Sequence, residues 1–184
     1  MNRNSRFFRS SSSLACVLLG FLLMGLSATA LRADTVKAIV ESVHGTVEFA
    51  PPGSSSFAPL GKGQELAVGS TIRTGSDGSA IILTTPGSGI KLGSDSNLRL
   101  NALAFAKSGS TVTQREAHLQ LTSGVVSALI DPSTPKITDF QVQTPEGSAA
   151  ARGTFYAVMV YQGKTYVSVA HGRVGAIADS KHEL

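Results

Sequence analysis

The chain has 184 residues, of which 42% are hydrophobic and 15% charged, with 19 Gly, one Cys and no Trp; that size suits one domain with or without a targeting segment. Its 16 Lys+Arg exceed its 12 Asp+Glu, but the excess is Arg3, Arg6, Arg9 and Arg32, so beyond residue 33 the charges balance. The balance excludes long-range attraction to DNA, RNA or anionic lipid by that part of the chain, and a single thiol, Cys16, excludes an intrachain disulfide framework.

Residues 1–33 read as a secretory signal peptide, expected to be helical. Arg3, Arg6 and Arg9 form a positive start, Leu14 to Leu26 is almost wholly apolar, and small residues offer cleavage at Ala30 or Ala33. Retention as an uncleaved membrane anchor is the alternative, because the apolar stretch approaches the roughly 20 residues a span needs. Cys16 lies inside the apolar run, so lipidation is not expected and the thiol leaves with the peptide.

From residue 35 the pattern is short alternating apolar runs broken by Gly, Ser, Pro and Asp, which reads as strands and turns. Val36 to Val47 opens the domain and residues 51–56 form a loop. Thr71 to Thr74 and Ala80 to Leu83 read as strands joined by a hairpin turn at Asp77-Gly78. Residues 86–89 turn the chain again. Ile90, Leu92, Leu98, Leu100, Val112, Leu119 and Leu121 continue the period of two. Asn101 to Lys107, rich in Ala and Leu, could be a short helix, a turn or more strand. Three segments echo one another: Val43 to Val47, Thr122 to Val126 and Ala170 to Val174 each read as strand, Gly, then Val two residues on. Their unequal spacing speaks against a repeat array and for one strand–bend–strand corner used three times. Tyr161 to Lys164 reads as a hairpin loop. The expectation is an all-β fold: one compact β-domain over residues 35–178, a short β-solenoid or sandwich-like, with a polar tail at 179–184. The final Lys181-His182-Glu183-Leu184 is similar to a lumenal retention signal and is read as chance.

The residues of this domain resemble the FecR domain family. Gly61, Leu66, Gly69, Ile72, Thr74-Gly75, Gly78-Ser79-Ala80 and Leu83 follow its opening pattern. Gly87-Ser88, Leu92, Ser96, Leu98 and Leu100 follow its middle, with Pro86 where the family usually has Asp. Leu119, Leu121, Gly124 and Val126 match the next strands. The most specific stretch is Thr144-Pro145, then six residues, then Arg152-Gly153-Thr154-Phe155; Val167, Val169, Gly172 and Val174 close the pattern. The resemblance implies an exported β-domain. In the family's best-known members it lies outside the inner membrane, behind one transmembrane helix and a cytoplasmic anti-sigma region, and contacts the signalling domain of an outer-membrane transporter. About 13 residues precede the apolar run here, so the expectation is the sensing or scaffolding half of that device without the anti-sigma region.

Candidate chemistry is sparse. His44 and His171 occupy equivalent places in two Gly-x-Val corners and could meet, but no acidic or Cys partner stands at ligand spacing. Ser88-x-x-Lys91 and Ser133-x-x-Lys136 have a serine–lysine spacing without the motifs that complete such a site. Glu48 and Glu65 are single carboxylates where a glycosidase needs a converging pair. No catalytic, metal or cofactor residue is assigned, and no cofactor is expected. Thr144, Pro145, Arg152, Gly153, Thr154 and Phe155 are read as structural before functional, with Arg152 expected to be buried and to brace the loop after Pro145, or else to recognise an acidic ligand. Tyr156, Tyr161 and Tyr166 are read first as covering a core edge, and otherwise as a candidate interaction surface that stacks on a sugar or forms a protein hot spot. The functional expectation is a non-enzymatic periplasmic or secreted module that binds an envelope protein. A carbohydrate- or cell-wall-binding module is the alternative. Membrane association is expected only if the N-terminal segment stays uncleaved.

Overall fold

The computed structural model describes residues 36–179. The expected signal peptide, with Ala30, Ala33 and Cys16, and residues 180–184 lie outside the described residues. The described chain is all β, fourteen strands with no helix among them. They form one curled, largely antiparallel sheet, a half-barrel that divides into two leaves.

The first leaf runs β4 (Glu65–Leu66), β1 (Ala38–His44), β6 (Ser79–Thr85), β7 (Ser88–Leu92), the C-terminal half of β9 (Thr111–Ile130), β12 (Phe155–Tyr161) and β13 (Lys164–His171). The second runs β3 (Ala58–Pro59), β2 (Val47–Ala50), β5 (Thr71–Thr74), β8 (Asn97–Ser108), the N-terminal half of β9, β10 (Thr138–Thr144), β11 (Gly147–Ala151) and β14 (Val174–Ala178). Every pairing is antiparallel except β9 with β10.

The long strand β9 belongs to both leaves, and its sequence explains how. Ala117, Leu119 and Leu121 are buried before Gly124, and Val126, Ala128 and Ile130 after it. The inward positions are odd on one side and even on the other. Strict alternation would turn one half inside out; the bend at Gly124 (φ 82°) shifts the parity by one residue and keeps both halves facing the same core. A Cβ here would stand 2.4 Å from the Ser96 Cα, so the crossing requires glycine.

The other two echoed segments are corners of the same kind. Gly45 carries the chain from β1 to β2, and Gly172 from β13 to β14, each a passage between leaves at positive φ (63° and 95°). Sequence periodicity located the corners but misassigned one turn. Asp77-Gly78 does not close a hairpin: β5 pairs with β2 and β8, and β6 with β1 and β7. This turn also crosses between leaves and packs against the Gly45 corner, where the Thr46 amide donates to the Asp77 carboxylate at 3.2 Å. Asn101 to Lys107 continues β8 as strand.

One core fills the space between the leaves. Leu66, Ile72, Ile82, Leu92, Leu98, Leu119 and Val142 are all fully buried in it. Each buried Leu or Ile contributes about 1.5–3 kcal/mol over exposure.

Candidate functional site

The Thr-Pro and Arg-Gly-Thr segments hold the leaves together. Thr144 and Gly147 pair at the end of β10 and β11, leaving Pro145-Glu146 as a two-residue turn. The Thr144 hydroxyl donates to the Gly147 carbonyl at 3.1 Å and accepts from the Thr165 hydroxyl at 2.8 Å. The Glu146 carboxylate takes the Thr165 amide. This turn of the second leaf is thereby tied to β13 of the first. At the far end of β11, Gly153 turns at φ 83° where a Cβ would lie 2.6 Å from the Pro132 Cα. Thr154 is buried, and its hydroxyl donates to the Arg173 carbonyl at 3.0 Å. The corner at 153–154 and the corner at 172–173 are therefore locked to each other.

Arg152 departs from expectation. It is exposed, and no ion pair or side-chain hydrogen bond reaches it among the described residues. Its neighbours Ala149 and Ala151 face the core, but alternation points Arg152 away from it. The buried arginine is Arg115 on β9. Its guanidinium donates to the Thr134 hydroxyl at 3.0 Å and stands 3.9 Å from the Asp131 carboxylate, bracing the connection from β9 to β10. The Arg115 Nε has no partner among the described residues.

Tyr156 takes the packing role and not that of a surface residue. It is 1% exposed and packs edge-on against Phe140, with ring centroids 6.4 Å apart at 88°. Burial pushes its phenol well above the ordinary tyrosine range, and its hydroxyl has no partner among the described residues. It belongs to the core. Tyr161 and Tyr166 are exposed (59% and 49%). They flank the hairpin turn Gln162-Gly163 and lie diagonally on the outer face of β12 and β13, beside Met159.

That outer face of the first leaf is unusual. Register places Ile39, Leu83, Gly89, Leu129 and Phe155 in one row across five strands. The four apolar side chains of this row are exposed, Leu129 by 64% and Phe155 by 46%. Gly89 contributes no side chain, so the row dips between Leu83 and Leu129 into an open groove of about 780 Å³, continued by Ile81 and ended by Pro132. The middle of the second leaf's outer face, by contrast, carries Gln120, Gln141, Gln143, Glu116, His118 and Asp139, with Ile177 a single exposed apolar residue on its edge strand β14.

The isolated chemical candidates do not assemble. His44 on β1 and His171 on β13 are five strand spacings apart in the first leaf, about 24 Å at the usual spacing. Ser88 is buried with its hydroxyl on Thr85 at 2.5 Å, while Lys91 projects from the opposite face of β7. Ser133 is held by the Asp131 carboxylate. Glu48 pairs with Arg73 and Glu65 with Lys37, on different leaves.

The apolar outer face was missed in the sequence, although a signal was there. Ile81-Ile82-Leu83, Leu129-Ile130 and Phe155-Tyr156 are consecutive apolar residues within strands. Such runs break the alternation of a strand with one wet face and are the pattern of a strand covered on both faces.

Residues 70–175 match the family model described as FecR protein. No curated protein and no solved structure matches the chain.

Proposed function

The chain belongs to the FecR family, and from that premise we propose that it is a non-catalytic sensing or scaffolding module of the bacterial envelope that recognises another protein through the outer face of its first leaf. The single observation that carries this reading is the exposed row Ile39, Leu83, Leu129 and Phe155, with its groove over Gly89. Contiguous apolar surface of this kind marks an interaction site. The occupant is an apolar segment of a partner protein. Leu83 and Leu129 form the walls, and Phe155, Met159 and Tyr166 supply the large side chains that dominate interface energetics. A sheet with apolar residues on both faces is stable in water only at a solvation cost; a partner that covers the second face removes it.

The test is comparative capture from envelope extract. Wild type and the double variant Leu129→Arg with Phe155→Arg are used as bait, and their melting temperatures are compared first. Both side chains are exposed, so the fold should survive. The reading expects a specific protein retained by wild type and lost by the variant. Equal capture by both baits would move the interface elsewhere on the molecule.

A further inference from the structure

Arg152 and Arg173 stand side by side, and neither makes an ion pair among the described residues. The last pair of the β11–β14 ladder is Ala151 with Val174, so Arg152 and Arg173 occupy the next position on each strand. Both are exposed. Like charges at cross-strand positions repel, and a surface selected for stability alone would place a carboxylate between them. Among the described residues the acid beside them is Asp139, next to Phe140, which pairs with Ala151. It is engaged elsewhere, on the His118 Nε2 at 3.1 Å.

The two arginines line one hollow of about 540 Å³ on the second leaf, with Asp139 on its rim. Its floor is Ala150 and Gly175, which pair across β11 and β14. Neither has a side chain long enough to fill the space. The arginine backbones are fixed: Gly153 packs on Pro132, and the Arg173 carbonyl accepts from the buried Thr154 hydroxyl at 3.0 Å. Two planar guanidinium groups held on rigid corners suit an oxyanion taken in a bidentate manner.

We infer that this hollow is a second recognition site, which takes a carboxylate side chain of an acidic peptide segment between Arg152 and Arg173. Asp139 on the rim selects the class. It opposes a doubly charged phosphate more than a singly charged carboxylate. The site lies on the second leaf and does not depend on the apolar face of the first, so either can fail without the other.

The experiment is a titration of the ¹⁵N-labelled chain with tetraglutamate at low ionic strength, where surface electrostatics is least screened. Tetraglutamine and inorganic phosphate serve as the other two arms. Tetraglutamate should shift the amide resonances of Gly153, Gly172 and Gly175 saturably, and tetraglutamine should leave them in place. R152A and R173A should each weaken the binding at least fivefold at unchanged melting temperature, and the double variant should abolish it. Gly175→Leu gives a check that keeps both charges: a Cβ at Gly175 meets nothing closer than the Ala150 oxygen at 4.0 Å, so the variant should fold, fill the floor and lose the peptide. Absence of saturable shifts with tetraglutamate, or the same shifts in the double arginine variant, overturns the site. Tighter binding of phosphate than of tetraglutamate overturns the carboxylate assignment.

Discussion

Gly124→Ala should be among the most damaging single-methyl additions in the molecule. At φ 82° an alanine is forced into the left-handed region, which costs about 1–2 kcal/mol. The added Cβ would stand 2.2 Å from the Ser96 Oγ and 2.4 Å from its Cα, so backbone must move. Ser96 accepts from the Val125 amide at 2.9 Å and donates to the Val125 carbonyl at 3.3 Å; loosening that pair costs about 1 kcal/mol per bond. The total is about 3–4 kcal/mol, against whole-domain stabilities of about 5–15 kcal/mol. For a domain of this size the melting temperature should fall by about 10–15 °C. Gly63→Ala is the matched control, because Gly63 has nearly the same φ (81°) with nothing within 4 Å of its Cβ position. It should lose only the conformational part, about 1–2 kcal/mol. Thermal melts followed by far-ultraviolet circular dichroism compare the two. Equal losses at positions 124 and 63 would refute the close crossing of β9 over Ser96, and with it the account of how one strand serves both leaves.

Four further outcomes follow from the same contacts. Arg115→Ala should destabilise by about 2–3 kcal/mol through the lost Thr134 bond and the void left in the core, whereas Arg152→Ala should stay within about 0.5 kcal/mol; denaturant melts that reverse this order would restore Arg152 as the brace. Tyr156→Phe removes a buried, unpartnered hydroxyl and should be neutral or slightly stabilising, so a clear drop in melting temperature would reveal a partner for that hydroxyl. Alkaline spectrophotometric titration should find Tyr156 un-ionised until the protein unfolds; its ionisation in the native protein would contradict its burial. The Asp77 carboxyl is held below its ordinary range chiefly by the Thr46 amide, and that of Asp131 by the Ser133 amide. A lowered native pKa gives stability that is present above the unfolded value of about 3.9 and is lost as pH falls through the native value. Melting temperature should therefore hold from neutral pH down to about pH 5 and fall below it, with a smaller acid-side fall in Asp77→Asn, measured by calorimetry.

Much of the fold could be read in the sequence because its signals are local. The Gly-x-Val echo marked three leaf crossings, since a residue at positive φ between two apolar strands leaves a compositional trace. Gln162-Gly163 marked its hairpin in the same way. Asp77-Gly78 misled because turn chemistry fixes the local bend but not which strands pair afterwards; that is decided by the contact of Asp77 with Gly45, 32 positions away. Arg152 was misplaced for a related reason. The small residues before Arg152 suggested burial, but they alternate between core and solvent. Tyr156 was grouped with Tyr161 and Tyr166 by proximity in sequence, although parity sets it on the opposite face of β12 from Tyr161. The hollow at Arg152 and Arg173 depends on pairing between β11 and β14, and no local pattern encodes it.

The central claim is that the apolar outer face of the first leaf is a protein-binding surface. The most direct measurement is photo-crosslinking in the envelope of producing cells, with a photoreactive amino acid placed at Leu129 in one variant and at Gln143, exposed on the second leaf, in another. A discrete crosslinked protein adduct is expected from position 129, lost when Phe155→Arg is added. No adduct from position 129, or the same adduct from 143, would contradict it.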